Sequence, residues 1–301
     1  MGRGFQPIAI RVIGSGQPRT MYATALPAPY HSRYVSLAPF GLYASPGWDD
    51  ELQERTLASI LQELRGTRTR GFVWTVRFDH AALGSALASI GIPYQQTGTY
   101  VLRLDEGYER AVSGYNATIR NQIRKAARRG VCIRDASGEA DVCAYHELHR
   151  RVVAQKEDWR GYEYPVELFL ELSQLTASVR LLVAEHEGRM IAGALFFRDA
   201  DSVMYWHGAS DREYSQLFAS RPIMDAAIRW ACELGAGCFN FGGSAGMASL
   251  EQFKLAWGAR PEVNWTFEWT NPIWARLSAL KSVFGRTVSS SERQPRQPII
   301  P

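Results

Sequence analysis

Phe239-Asn240-Phe241-Gly242-Gly243, followed after a short polar stretch by Glu251-Gln252-Phe253-Lys254-Leu255-Ala256-Trp257-Gly258, is the part of the chain whose reading decides the fold. The first segment reads as an apolar strand that stops at two residues without side chains. The second reads as a helical turn carrying one cation. Paired glycines let a substrate approach the backbone closely, and a lysine on the following turn can reach back towards a bound carbonyl. When an amine attacks an acyl ester, negative charge gathers on the carbonyl oxygen, and a cation held there lowers the barrier by roughly a few kcal/mol. The arrangement suits acyl transfer without a covalent intermediate. Lys254 is its candidate catalytic group, with Phe253 beside it and Gly242 and Gly243 admitting the donor carbonyl.

Outward from this stretch the hydrophobic period switches between helical and alternating. Helices are expected at about Glu139 to Val153 and Pro165 to Leu175. Strands are expected near Val179 to Glu185, Met190 to Phe197 and Ser202 to His207, separated by the turns His186-Glu187-Gly188 and Asp199-Ala200-Asp201. Turns this short make antiparallel neighbours. A helix from about Arg221 to Glu233 crosses back to the strand Cys238 to Phe241, which predicts a parallel pair. The last strand, Val263 to Trp269, alternates Val263, Trp265, Phe267 and Trp269 with Asn264, Thr266 and Glu268, so one of its faces is expected to be buried. In the first half, strands are expected near Ile8 to Val12, Tyr34 to Ala38, Phe72 to Val76 and Thr97 to Leu104, with helices near Asp49 to Leu64 and Ala81 to Ile90. A long helix from about Tyr108 to Arg129 joins the halves.

The block also carries a resemblance. Tyr205-Trp206-His207-Gly208-Ala209-Ser210 on a strand, the helix from about Pro222 to Leu234, the FGG strand end and the FK-x-x-W-G helix follow one another in the order seen in the FemAB group of the GNAT acyltransferase superfamily. The match is clearest from Arg120 to Gly258. The resemblance implies an α/β fold of the α+β kind: tandem GNAT-like halves, each a mixed, mostly antiparallel sheet flanked by helices. It divides the chain into a degenerate N-terminal domain at 1–118, a catalytic domain at 119–286 and a tail at 287–301. It implies an enzyme that joins an aminoacyl group from tRNA, or a related activated acyl group, to an amine, with the lysine of the F-K pair serving the site. The implied acceptor is a peptidoglycan precursor or a natural-product intermediate. No tightly bound cofactor is expected, the activated donor being a co-substrate.

One departure bears on that donor. Acetyl-CoA-dependent GNAT enzymes carry an R/Q-x-x-G-x-G/A loop, whose backbone amides cradle a pyrophosphate, between the fourth strand and the next helix. Here the connection from Gly208 to Ser220 reads GASDREYSQLFAS, without those glycines or their spacing. Aminoacyl-tRNA is therefore the favoured donor. An acyl-CoA or carrier-protein thioester is the alternative within the same chemistry, and a non-catalytic RNA-binding module is the alternative from another class.

Composition sets wider bounds. At 301 residues, 46% hydrophobic and 21% charged, the chain can bury a sizeable core. No apolar run is long enough to span a bilayer and Met1-Gly2-Arg3-Gly4-Phe5 lacks the apolar core of a secretory signal, so a cytoplasmic location is expected. The cysteines Cys132, Cys143, Cys232 and Cys238 show no C-x-x-C pairing and read as reduced, packed thiols. A formal charge of +4 permits an anionic partner without requiring one. The tail from Thr287 to Pro301, rich in Ser, Pro, Arg and Gln, is expected to be disordered.

Placement of charge says more than its sum. Arg120, Arg124 and Arg128 recur every four residues with Lys125 and Arg129 beside them, which makes a basic stripe along one helix. Such a stripe either holds the phosphates of a tRNA or is a solvated face suited to a helix C-terminus. His207 and Asp211, at and just beyond a strand end, are candidates to relay the proton of the attacking amine, although a packed histidine is the plainer reading of His207. Tyr205 on the same strand is a candidate substrate contact. So are Trp159 and Tyr162, in the charged and aromatic loop from Glu157 to Tyr164. His146-Glu147-Leu148-His149 lacks the spacing of a zinc protease motif, and no metal is expected. Gly14-Ser15-Gly16 lacks a third glycine and is not a dinucleotide loop.

Overall fold

A computed structural model describes residues 6–12, 19–28, 32–37, 43–44, 69–78, 85, 88–89, 91, 93–155, 164–198, 201–244 and 246–276. In chain order the strands are β1 Gln6–Val12, β2 Arg19–Ala28, β3 Ser32–Leu37, β4 Tyr43–Ala44, β5 Thr69–Val76, β6 Tyr94–Arg103, β7 Cys132–Asp135, β8 Val179–His186, β9 Arg189–Arg198, β10 Ser202–Ser210, β11 Cys238–Asn240 and β12 Arg260–Thr270. The helices are α1 Gly107–Gly114, α2 Ala117–Arg128, α3 Gly138–Ala154, α4 Val166–Ser173, α5 Ser220–Glu233 and α6 Ala248–Leu255. The chain forms two units, one of residues 1–97 and 263–296, the other centred on residues 98–262.

In the first unit the strands pair in the order β1-β2-β3-β5-β12, with β4 on β2. Every pairing there is antiparallel except β3 with β5, which is parallel. In the second unit the order is β6-β11-β10-β9-β8-β7, again with one parallel pairing, β10 with β11. Each sheet is thus mixed and mostly antiparallel, as the tandem reading requires.

The units do not follow the expected cut after residue 118. β6 pairs with β11 in the second unit, and β12 pairs with β5 in the first. The helical join is also different: the single helix expected from Tyr108 to Arg129 is two. Tyr115 is extended (φ −65°, ψ 140°), and the Asn116 side chain caps α2 by accepting the Ile119 N–H at 2.8 Å. A local Asn side chain outcompetes continuation of the helix. The break is held from outside, because Asn116 N–H donates to Ala256 O and Tyr115 OH to Asp225. β2 and β4 were not anticipated. The helix expected near 49–64, the tail and most of the helix near 81–90 lie outside the described residues.

Two helical faces enclose the second sheet. Ile223, Met224, Ala227, Ile228 and Ala231 of α5 recur at helical spacing, are buried, and pack with Ala192, Ala194, Phe196, Val203 and Phe239. Each such side chain contributes about 1.5–3 kcal/mol on burial when it is as large as Ile or Met. On the opposite face α3 buries Val142, Tyr145, Leu148, His149 and Val153. Gly193 alternates with Ala192 and Ala194, and a Cβ there would lie 2.5 Å from the Tyr145 ring, so α3 sits tightly on that face.

The last strand departs from simple alternation. Phe267 is buried as expected, but Val263 is 45% exposed, while Asn264 and Thr266 are buried. Both polar side chains are paired: Asn264 Oδ1 accepts the Phe78 N–H at 3.1 Å, and the Thr266 hydroxyl lies 3.2 Å from that of Thr75. Hydrogen bonding offsets the cost of burying them.

Candidate active site

β10 and β11 pair over three residues only, from Ser202 opposite Cys238 to Met204 opposite Asn240. Beyond Met204 they part. β10 continues against β9 with a register shift at Trp206, whereas Phe241 N–H donates to Tyr100 O at 2.8 Å and Tyr100 N–H to Gly242 O at 3.1 Å. The splay is set by the FGG sequence. Asn240 Oδ1 accepts the Gly242 N–H at 2.8 Å and the Thr99 hydroxyl at 2.7 Å, which turns the chain away from β10. Gly242 has φ +75°, a conformation that residues with a side chain rarely adopt.

Lys254 projects from α6 beneath this turn. It is 1% exposed, and its ammonium donates to Gly242 O at 3.0 Å and Gly243 O at 2.5 Å. Its Nζ also lies 5.6 Å from the Tyr100 ring centroid. No acid pairs with it among the described residues; Glu251, one turn earlier, accepts instead from Tyr100 OH at 2.7 Å. Burial lowers its pKa from 10.5 to about 8. The cation expected to face a donor carbonyl therefore already grips two carbonyls of its own chain. Phe253 and Trp257 flank it, Trp257 being wedged against Tyr115, Phe241 and Phe253.

Tyr205 lies along β10 above Gly208, where a Cβ would come within 2.3 Å of its hydroxyl. No hydrogen bond to that hydroxyl is found among the described residues, and burial raises its pKa to about 12. Arg221, at the start of α5, is its electrostatic neighbour. The guanidinium of Arg221 stacks over Phe253 at 4.6 Å and donates from Nε to Gln122 Oε1 at 2.9 Å. Sequence reading missed Arg221, Gln122, Asn240 and Tyr100. Only Asn240 carried a local signal, a lone polar residue inside an apolar strand.

His207 faces away from this group, towards α3. Its Nδ1 lies 2.5 Å from Tyr145 OH, and the His149 ring stands edge-on at 4.2 Å. Burial first, and His149 second, lower its pKa to about 3, so its imidazole is neutral at physiological pH. Asp211 is occupied: it caps the 3-10 helix Arg212–Leu217 by accepting the Glu213 N–H, and it pairs with Arg189 at 3.2 Å and Arg151 at 3.6 Å. Its carboxylate is thus held at the head of the 3-10 helix and between two arginines. Trp159 and Tyr162 lie outside the described residues.

The basic stripe divides. Arg120 donates to Tyr115 O within its own segment, and Arg124 and Arg128 are exposed. Lys125 reaches over Phe218 at 5.1 Å, and Arg129 donates to Gln216 O at 2.8 Å. These two contacts fasten α2 to the connection between β10 and α5. That connection is built as a 3-10 helix ending at Phe218 in the left-handed region (φ 57°). A groove of about 530 Å³, lined by Asp135, Phe169, Gln174, Arg180 and Trp230 among others, opens where β8 begins and shares no residue with the splay.

A parallel strand pair splayed by a glycine turn, with a helix crossing back between its members, is the arrangement of a GNAT-type fold. Residues 113–255 match the acetyltransferase (GNAT) domain family. Among curated proteins none matches the chain by sequence. FemX is similar in structure over 91% of this chain and 90% of its own, with a TM-score of 0.69 and 14% identity. A protein described as the C-terminal domain of a lysylphosphatidylglycerol synthetase from Agrobacterium fabrum matches over 91% of this chain and 88% of its own (TM-score 0.58, 13% identity). L-PGS from Bacillus licheniformis matches over 90% and 87% (TM-score 0.52, 13% identity). Residues 113–255 thus match a GNAT domain, and the chain shares its fold with FemX. Among the described residues no helix is long and apolar enough to cross a membrane.

Proposed function

We propose that the protein forms an amide bond by moving an aminoacyl group from aminoacyl-tRNA to an amine acceptor, such as a peptidoglycan precursor or a natural-product intermediate. The observation that carries this reading is the connection between β10 and α5. In place of glycines that would cradle a pyrophosphate it holds a 3-10 helix, with Lys125 and Arg129 of the basic helix fastened over it. Arg124 and Arg128 remain exposed beside them, to meet the phosphates of a nucleic-acid donor.

In this reaction the neutral amine attacks the ester carbonyl carbon, a C–N bond forms, and the carbonyl π electrons move to oxygen. Collapse restores the carbonyl and breaks the ester C–O bond, and the proton lost by the amine ends on the ribose hydroxyl. Lys254 supplies positive charge beneath the glycine turn where the oxyanion forms. Tyr205, Phe253 and Arg221 line the splay on the donor side. His207, turned towards α3 and joined to Tyr145, stands outside this group and takes no proton from the amine.

Incubating the protein with charged tRNA and candidate amines, with and without ribonuclease, tests the donor. Amide product that depends on intact tRNA is expected; product that persists after ribonuclease treatment removes tRNA from the mechanism. Lys254→Ala separates enzyme from RNA binder, because the enzyme loses turnover and keeps its RNA affinity.

A further inference from the structure

We infer that the backbone N–H groups of Gly243 and Ser244 hold the carbonyl oxygen of the acyl donor, and that Lys254 is a positioning residue that aims them. The inference rests on the acyl-transfer reading above and adds to it the groups that meet the reacting oxygen. A trans peptide unit is planar, so its C=O and N–H point in opposite directions. The Gly242 carbonyl shares its unit with the Gly243 N–H, and the Gly243 carbonyl shares its unit with the Ser244 N–H. Lys254 Nζ draws both carbonyls to itself, at 3.0 and 2.5 Å. Two consecutive N–H groups must therefore face away from the ammonium, on the far side of the turn.

The surrounding backbone groups are spoken for. Gly242 N–H is held by Asn240 Oδ1, and Gly242 O accepts from Tyr100 N–H as well as from Lys254. For Gly243 N–H and Ser244 N–H no acceptor exists among the described residues. Both residues are only half-buried, which leaves their donors open to a ligand. They follow the last pairing of β11 with β10, where the two strands have parted. Half-buried N–H groups with no acceptor in their own chain are open to water or to an acceptor atom of a ligand, and here two of them lie side by side at the splay. Fixed donors aimed at one point are what a developing oxyanion needs, because they cost no reorganisation during the reaction. The ammonium behind the carbonyls polarises each peptide unit and strengthens its N–H as a donor. During attack the oxygen gaining the π electrons is held by these two N–H groups, and it returns the pair when the C–O bond breaks.

The test removes one N–H. Ser244 is replaced by its α-hydroxy acid analogue, which turns the 243–244 amide into an ester, and in parallel by Ser244→Pro. Both are measured against Ser244→Ala, which keeps the N–H, on whichever acyl ester or thioester the wild type turns over, so that the identity of the donor does not enter. Expected is a kcat about 100-fold below that of Ser244→Ala with KM for the donor little changed. Lys254→Met should show the same split, with partial rescue in Lys254→Arg. Affinity for a phosphonate analogue of the tetrahedral intermediate should fall in step with kcat. The ester variant keeps the side chain and leaves φ free, so it answers the question if the proline variant fails to fold. N–H-deleting variants within about threefold of Ser244→Ala, alongside a Lys254→Met that is inactive, would overturn the inference in favour of direct contact between the ammonium and the oxygen, while leaving acyl transfer itself standing.

Discussion

Lys254 and His207 are both deprived of water, and each writes that fact into a pH dependence. With a folded pKa near 8 against 10.5 in the unfolded chain, Lys254 binds fewer protons folded than unfolded across that window. Stability should therefore rise as pH climbs from about 8 to 10.5, by on the order of 3 kcal/mol, and Lys254→Met should flatten the rise. Turnover should move the other way, falling above pH 8 as the ammonium is lost, and Lys254→Arg should push that alkaline limb upward. For His207 the folded pKa of about 3 lies below the ordinary 6.5, so the unfolded chain takes up the extra proton between those values. Urea unfolding should show stability dropping as pH falls from 6.5 towards 3, and His207→Gln should lessen that slope above about pH 4.5, below which carboxylates such as Asp135 and Asp141, held low by Arg180 and Arg134, add their own; an unchanged slope would remove His207 as a source. Lys254 and the glycines were legible because they lie within one short motif. The partners that define their surroundings were not, since Tyr100, Gln122 and Arg221 come from distant segments and no local spacing announces them.

Among the elements, the strands and helices of the second unit were legible because α5, β8, β9 and β10 are long and strongly periodic. The α1–α2 break was not, because Asn116 reads as an ordinary helix residue until its capping bond is seen. Asn116→Ala should cost about 1 kcal/mol and lower the melting temperature, with the loss concentrated in α2 when followed by hydrogen exchange. β12 misled for a related reason: Asn264 and Thr266 are polar yet buried, each satisfied by a partner from elsewhere in its unit. That strand depends on close contact with β5. A Cβ on Gly71 would stand 2.6 Å from the Trp269 carbonyl oxygen, so Gly71→Ala must displace backbone rather than a flexible side chain. Destabilisation of about 1–3 kcal/mol is expected in denaturant titrations. A neutral effect would mean that β5 and β12 lie farther apart.

At the scale of the whole molecule the tandem plan was legible and its wiring was not. Repetition of the plan follows from the order of elements, but which copy receives a given strand is a matter of pairing between residues far apart in sequence. β6 follows the first sheet along the chain and completes the second; β12 follows the second and completes the first. Nothing in the sequence of either strand names its partner: β6 exposes its first five residues and buries the four from Thr99 to Leu102 in one run, and β12 buries polar Asn264 and Thr266 beside Phe267.

A gene cut after residue 118 would thus yield two polypeptides that each lack their own closing strand and carry the other's. Expressed singly, each should be insoluble or molten, with a raw sheet edge inviting aggregation. Produced together, they should rescue one another and co-purify, so the catalytic half can be neither inherited nor engineered as a free-standing module.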